Sequence, residues 1–126
     1  MKQSHVLQLA CEPLPIVRIG FIGLGNRGMA TLRRYLVIDG VEIVALCDIH
    51  RAHLDEASAV IAADGKYTPC LLNAQDGWKQ MCQRDDIAPI YICTDWLTHA
   101  PMACYAMEQG KHVAIEVPAA TTVEER

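Results

Sequence analysis

The chain alternates between short apolar runs and longer segments in which apolar residues recur at helical spacing. The short runs predict buried strands over 16–22, 41–47, 87–93 and 112–117, with a weaker one near 67–71. The longer segments predict helices over 27–38, 50–65, 76–84 and 98–110. In the first of these helices, Met29, Leu32 and Leu36 form the apolar stripe.

Residues at the ends of these segments are typical of helix caps. Asp76 and Thr98 stand where side-chain oxygens would accept hydrogen bonds from the first free N–H groups of a helix. Gly40, Gly65 and Gly110 stand just past the apolar patterns, where a helix commonly ends on glycine. The helix limits are therefore predicted from local chemistry as well as from spacing.

Strands that alternate with helices indicate right-handed β-α-β units, and these build a parallel sheet covered by helices on both faces. We predict a Rossmann-type, doubly wound α/β domain with three α/β/α layers over 16–126. It follows a leader, 1–15, whose structure the sequence does not indicate. The last residues, 121–126, are typical of a helix that is just beginning, so we expect the chain to be a fragment followed by at least one further domain.

Composition narrows the function classes. The chain has 126 residues, 52% of them hydrophobic, and a net charge of −4, which gives no basic surface for nucleic acid. No apolar run approaches the roughly 20 residues that span a bilayer, so no membrane partner is expected. The six cysteines form no C-x-x-C pair. This favours reduced cysteines in a cytoplasmic protein over a disulfide framework or a metal site.

A glycine-rich turn follows the first strand. Gly23, Gly25 and Gly28 form a G-x-G-x-x-G motif between a predicted strand and a predicted helix, which is the context of a dinucleotide-binding loop. In such a loop Gly23 permits the tight turn, Gly25 leaves room for a pyrophosphate, and Gly28 lets the helix pack on the strand. Asn26 and Arg27 fill the variable positions, and Arg27 adds a charge unless it is simply a solvated residue.

An acid ends the second predicted strand. Asp48 lies about 20 residues after Gly28, where a carboxylate accepts hydrogen bonds from the adenosine ribose. A carboxylate at this position repels the 2′-phosphate of NADP, so Asp48 predicts NAD as the cofactor. His50 and Arg51 weaken this preference without reversing it. The alternative is a cluster of turn glycines with a surface aspartate.

The turns after the last two strands also face the predicted cleft. Trp96 either packs against the cofactor or covers an apolar edge, and His99 either contacts the nicotinamide half or serves the structure of the helix. Glu116 follows the last strand, where a charge can meet solvent or cofactor rather than the core.

Four segments together resemble the N-terminal half of the glucose–fructose oxidoreductase, inositol dehydrogenase and rhizopine-catabolism (Gfo/Idh/MocA) family. They are VRIGFIGLGNRG, ALCD, YICTDWLTHA and GKHVAIEVPAA, and the resemblance covers nearly all of 16–126. The family joins this domain to a C-terminal α/β domain with the sugar site and often the oligomer interface. Most members have Glu-Lys-Pro after the fifth strand, whereas this chain has Glu116, Val117 and Pro118. This variant is similar to the branch of NAD-dependent glycosidases typified by α-N-acetylgalactosaminidase.

The resemblance implies chemistry in which hydride leaves a sugar carbon and returns after elimination and hydration. It also implies a homo-oligomer when full length, a sugar or glycoside substrate, and a catalytic base beyond Arg126, with His99 as a weak candidate. The alternatives are an NAD-dependent sugar or polyol dehydrogenase and a non-catalytic dinucleotide-binding module. The implied cofactor contacts are Asn26, Arg27, Asp48, Trp96, Leu97, Thr98, His99, Glu116 and Val117.

Overall fold

Five strands form one sheet in the computed structural model, which describes residues 10–125. The strands are β1 (Val17–Ile22), β2 (Val41–Cys47), β3 (Cys70–Leu72), β4 (Pro89–Ile92) and β5 (His112–Ile115). They lie in the order β3-β2-β1-β4-β5, and every neighbouring pair is parallel. All five predicted strands are confirmed, although β4 and β5 are shorter than the apolar runs that predicted them.

Four helices connect the strands and cover both faces of the sheet. They are α1 (Asn26–Tyr35), α2 (Arg51–Asp64), α3 (Gly77–Cys82) and α4 (Trp96–Glu108). On one face Leu32 of α1 and Leu54 of α2 pack in a buried cluster with Phe21. On the other face Met81 of α3 and Ala106 of α4 lie in a second buried cluster. The predicted doubly wound, three-layer α/β/α architecture is confirmed.

The strand register aligns the carboxyl ends of the strands along one edge of the sheet. Ile22 at the end of β1 pairs with Cys47 of β2 and with Ile92 of β4, and Ile92 pairs with Ile115 of β5. The carboxyl ends of these four strands are therefore level. The strand order reverses between β1 and β4, and ligands of such sheets bind in the crevice at this reversal.

The start of α4 differs from the prediction. The helix begins at Trp96, and the Asp95 carboxylate caps it by accepting hydrogen bonds from the N–H groups of Leu97 at 3.0 Å and Thr98 at 3.1 Å. The predicted cap at Thr98 is wrong because this residue lies within the first turn. There its hydroxyl donates to the Asp95 carbonyl at 3.1 Å.

The other caps agree with the sequence in position. Gly65 ends α2 in the left-handed conformation, with a φ of 75°. Asp76 stands directly before α3, but its side chain makes no capping hydrogen bond. Gly110 lies just beyond α4 and has a φ of 81°.

The two ends of the chain are described only in part. Residues 1–9 of the predicted leader and Arg126 lie outside the described residues, and residues 10–15 belong to no helix or strand. Residues 121–125 form bends and a turn rather than the helix start that the sequence predicts. The Glu125 carboxylate accepts a hydrogen bond from the N–H of Thr121 at 2.7 Å, and this contact closes the turn. None of the four helices between residues 10 and 125 has the length and apolar character that a membrane crossing requires.

Candidate cofactor site

The glycine-rich turn leaves β1 through a conformation that only glycine adopts without strain. Gly23 has a φ of 92°, and a Cβ on it would lie 2.1 Å from the carbonyl oxygen of Cys93. Its N–H donates to the Cys47 carbonyl at 2.9 Å, which ties the turn to the end of β2. Gly23 thus allows the chain to pass between the ends of β2 and β4.

The other two glycines of the motif have contrasting surroundings. A Cβ on Gly28 would lie 2.1 Å from the carbonyl oxygen of Gly23, so α1 approaches the turn more closely than any side chain permits. A Cβ on Gly25 would meet nothing within 4 Å. Gly25 therefore borders open space in front of the start of α1.

The start of α1 offers free N–H groups to that space. Gly25 is its N-cap residue, so no side chain caps the helix, and its first turn contains no acidic residue. Uncapped N–H groups and the positive end of the helix dipole together attract an anion. The open space at Gly25 and these donors fit the pyrophosphate of a dinucleotide.

Asp48 lies directly after β2 and is buried. One carboxylate oxygen accepts a hydrogen bond from the N–H of Leu24 at 2.8 Å, and the other accepts from the N–H of His50 at 2.8 Å. The Leu24 contact links the carboxylate to the glycine-rich turn. Because a carboxylate offers about four acceptor positions, Asp48 can still accept a hydrogen bond from a ribose hydroxyl.

A histidine that the sequence did not single out also contacts this carboxylate. Nδ1 of His53 lies 3.0 Å from Oδ2 of Asp48, and the ring packs edge-on against His50. The sequence signal that could have found this contact is the position of His53 in the first turn of α2, five residues after Asp48. Arg51, which the sequence placed near the ribose, instead pairs with Asp55 at 3.0 Å.

A cleft of about 490 Å³ opens over the ends of β1, β2 and β4. Its lining includes Asp48, His53, Trp78 and Thr94, together with Cys47. Burial raises the pKa of the Cys47 thiol to about 12, so this thiol stays protonated and is no nucleophile at neutral pH. The cleft has the size and mixed lining of a site for a nucleoside.

A charged network joins the end of β5 to the start of α1. One oxygen of Glu116 accepts hydrogen bonds from the Tyr91 hydroxyl at 2.5 Å and from Nε of Arg27 at 3.1 Å. Since the Tyr91 proton is used there, the Thr31 hydroxyl donates to Tyr91, at 3.1 Å. The hydrogen bonds from Tyr91 and Arg27 lower the pKa of Glu116, whereas burial and the Glu116 hydrogen bond raise the pKa of Tyr91.

The last two turns expose apolar side chains at the same edge. Trp96 is 66% exposed and Val117 is 80% exposed, and Leu97 is exposed as well. Large apolar side chains at this exposure are unusual on a monomer surface when they cluster. They lie at the carboxyl ends of β4 and β5, beyond the network of Glu116.

His99 holds these two turns together. It is only 1% exposed, with Nδ1 at 2.9 Å from the carbonyl oxygen of Pro118 and Nε2 at 3.2 Å from that of Thr94. Both ring nitrogens thus face backbone acceptors, and a neutral imidazole satisfies only one of them. Its predicted roles as a cofactor contact and weak catalytic candidate remain predictions, and proton transfer to a ligand would require the ring to turn a nitrogen away from its backbone carbonyl.

The fold gathers the remaining predicted site residues along one edge. Thr98 lines the cleft, and its hydroxyl lies 2.6 Å from that of Thr94. Asn26 is exposed at the start of α1, beside Gly25. Between residues 10 and 125, no group of three or more His, Cys, Asp and Glu side chains is arranged to hold a metal ion.

Comparisons with known proteins agree with this geometry. The family model GFO_IDH_MocA, described as "Oxidoreductase family, NAD-binding Rossmann fold", matches residues 17–126. The chain is 62% identical over 123 residues to an α-N-acetylgalactosaminidase of Bacteroides fragilis, covering 98% of this chain and 29% of that protein. It is 48% identical to a glycosyl hydrolase family 109 protein of Porphyromonas gingivalis, covering 26% of that protein.

A solved structure shares the fold. The myo-inositol dehydrogenase of Lactobacillus casei, in complex with NAD(H) and myo-inositol, matches with a TM-score of 0.77 and 25% identity, covering 87% of this chain and 31% of that one. The chain thus spans less than a third of the length of the relatives described here. With its glycine-rich turn, level strand ends and matched family model, the chain belongs to the Gfo/Idh/MocA oxidoreductase family as an NAD-binding Rossmann domain.

Proposed function

We propose that the chain is the cofactor-binding domain of a two-domain enzyme that acts on a glycoside through reversible oxidation of a sugar carbon. The observation that carries the proposal is Val117, which is 80% exposed at the end of β5 where most of the family has lysine. Position 117 therefore lacks the amine that the resemblance implies for a simple dehydrogenase, and the Arg27 cation at this edge is paired with Glu116. The identity with a relative named α-N-acetylgalactosaminidase supports the same conclusion.

The positions of the residues support a proposal for the cofactor contacts. We place the pyrophosphate at Gly23, Gly25 and Gly28, and the adenosine ribose at Asp48. The nicotinamide half lies towards the exposed turns, at the residues Trp96, Leu97, Thr98, His99, Glu116 and Val117. Bound NAD would supply a hydride acceptor that takes hydride from the sugar and gives it back.

Glu116 and Tyr91 are not suited to the proton transfer. The lowered pKa of Glu116 keeps it ionised at neutral pH, and the raised pKa of Tyr91 keeps that hydroxyl protonated. Neither group therefore changes its proton near pH 7, whereas an efficient general base has a pKa close to the working pH. Glu116 instead holds Arg27 in place, and we propose that the catalytic base lies beyond Arg126.

The full-length protein with NAD⁺ and chromogenic α- and β-glycosides tests the proposal. We expect release of the aglycone without accumulation of NADH, and deuterium from heavy water at the sugar carbon next to the oxidised one. The 126-residue chain alone is the matched control and is expected to show no turnover. Aglycone release that is independent of NAD⁺, or without deuterium incorporation, would reject the mechanism.

A net sugar or polyol dehydrogenase is the second candidate, and the likeness to an inositol dehydrogenase favours it. In the same assay it would form NADH in proportion to free sugar oxidised and release no aglycone. A non-catalytic regulatory module would bind NAD and do neither.

The proposal extends to the oligomeric state and the cellular location of the full-length protein. We propose a full-length homo-oligomer, measurable by light scattering, in which a second domain covers the exposed residues Trp96 and Val117. We also propose a cytoplasmic location, because the six cysteines in the described residues are all free thiols.

A further inference from the structure

Two titratable side chains share the adenosine end of the cleft. His53 lies 3.0 Å from Asp48, and its side chain is 37% exposed whereas that of Asp48 is only 7% exposed. A carboxylate only accepts hydrogen bonds, so Nδ1 of His53 carries the proton and donates to Asp48. Nε2 is therefore the ring atom whose protonation sets the charge of the pair.

His53 also occupies a particular position between two openings. It lines the cleft over the strand ends and a second cavity of about 340 Å³ beside Gly25 and the start of α1. The ribose that Asp48 is proposed to hold must lie between the adenine, in the first opening, and the pyrophosphate, near the second. His53 thus contacts the acid and lines both of the openings between which the ribose is expected.

We propose that His53 is a specificity-determining residue that sets the preference between NAD and NADP through the charge of the Asp48–His53 pair. With neutral His53 the pair has a charge of −1, which repels a 2′-phosphate and leaves Asp48 free to accept from a 2′-hydroxyl. With protonated His53 the pair is neutral, and Nε2–H becomes a donor for phosphate. The inference rests on the proposed placement of the ribose at Asp48.

The other charges around His53 do not replace it in this role. The His50 ring packs edge-on against the His53 ring, with the two ring centroids 5.1 Å apart, and Asp48 faces His53 from the end of β2. Across the second cavity, Arg33 of α1 and Glu56 of α2 also line the wall and pair with each other at 3.8 Å. Of these groups, His50 and His53 carry imidazole rings.

Calorimetric titration of the full-length protein with NAD and with NADP, at about pH 8.5 and about pH 5.5, tests this inference. We expect the affinity ratio of NAD to NADP to fall by roughly fivefold on acidification, the scale of one partly exposed charge interaction. In His53→Gln, which keeps an N–H donor for Asp48, the affinity ratio should change less with pH than it does in the wild type. His53→Lys should favour NADP at both pH values.

His112→Gln is the matched control, because this exposed histidine lies at the far, amino end of β5. It should behave as the wild type. Equal pH dependence in the wild type and His53→Gln, with no change of ratio in His53→Lys, would overturn the role of His53. Asp48→Asn tests the placement of the ribose separately from the role of His53. Unchanged NAD affinity in a folded Asp48→Asn protein would show that the ribose is not held at Asp48.

Discussion

Replacement of Gly25 by alanine should separate cofactor binding from folding. A Cβ at Gly25 meets no protein atom within 4 Å, and the φ of −68° is open to alanine. The free energy of unfolding should therefore change by no more than about 0.5 kcal/mol. The added methyl group nevertheless enters the space in front of α1 where we place the pyrophosphate.

The loss of affinity can be worked from the hydrogen bonds at stake. Hydrogen bonds to a charged group contribute about 1.5–3 kcal/mol each, and displacement of the pyrophosphate should break at least one or two of them. We expect a loss of about 3 kcal/mol, which is roughly a hundredfold increase in the Kd for NAD. Calorimetric titration measures the Kd, and a thermal melt of the same sample reports on the fold.

Gly28→Ala is the matched comparison because its Cβ would lie 2.1 Å from the carbonyl oxygen of Gly23. Relief of this clash should cost about 1–3 kcal/mol of stability and lower the Tm by roughly 4–12 °C. Unchanged NAD affinity in Gly25→Ala would refute the placement of the pyrophosphate. A fall in Tm as large as that of Gly28→Ala would refute the claim that Gly25 borders open space.

Three further predictions concern the turns beside the cleft. Tyr91→Phe removes the hydrogen bonds to Glu116 and Thr31 and should lower the free energy of unfolding by about 1–2 kcal/mol. Urea unfolding measures this loss, and an unchanged midpoint would contradict the hydrogen-bond network. Asp95→Ala removes the cap of α4 and should cost about 1 kcal/mol in the same assay, and Thr98→Ser, which keeps the hydroxyl, should not. Because the folded-state pKa of Glu116 is depressed below 4.5, its stabilisation is present above that pH and is lost as the pH falls further. Acid unfolding should show a smaller loss in Glu116→Gln, and identical acid profiles would contradict the assignment.

The cofactor half of the site was predictable because its signals are local. The spacing of Gly23, Gly25 and Gly28 requires a strand before and a helix after, and the apolar pattern supplies both. Asp48 follows from the same unit, since it must stand at the end of the next strand. These relations depend on neighbours within one β-α-β unit, so the sequence contains them directly.

The contacts that the sequence missed depend either on a partner from a distant segment or on the backbone geometry of a turn. His99 is fixed by the Pro118 carbonyl from the turn after β5, and no local pattern shows that its ring turns inward. Asp95 and Thr98 are both good cap residues, and only the backbone of the β4–α4 turn decides between them. His53 acquires its partner because α2 begins directly after the Asp48 turn.

The high exposure of Val117 in this domain has a consequence for substitutions at this position. Within this domain, a side chain that is 80% exposed has almost no packing to lose, so substitutions at 117 should cost the domain itself little stability. The folding of this domain is therefore uncoupled from the role that we propose for position 117, while Glu116 and Pro118 beside it contact Arg27 and His99. A saturation library at 117, with Val117→Lys as its first member, would explore reaction type on an unchanged scaffold.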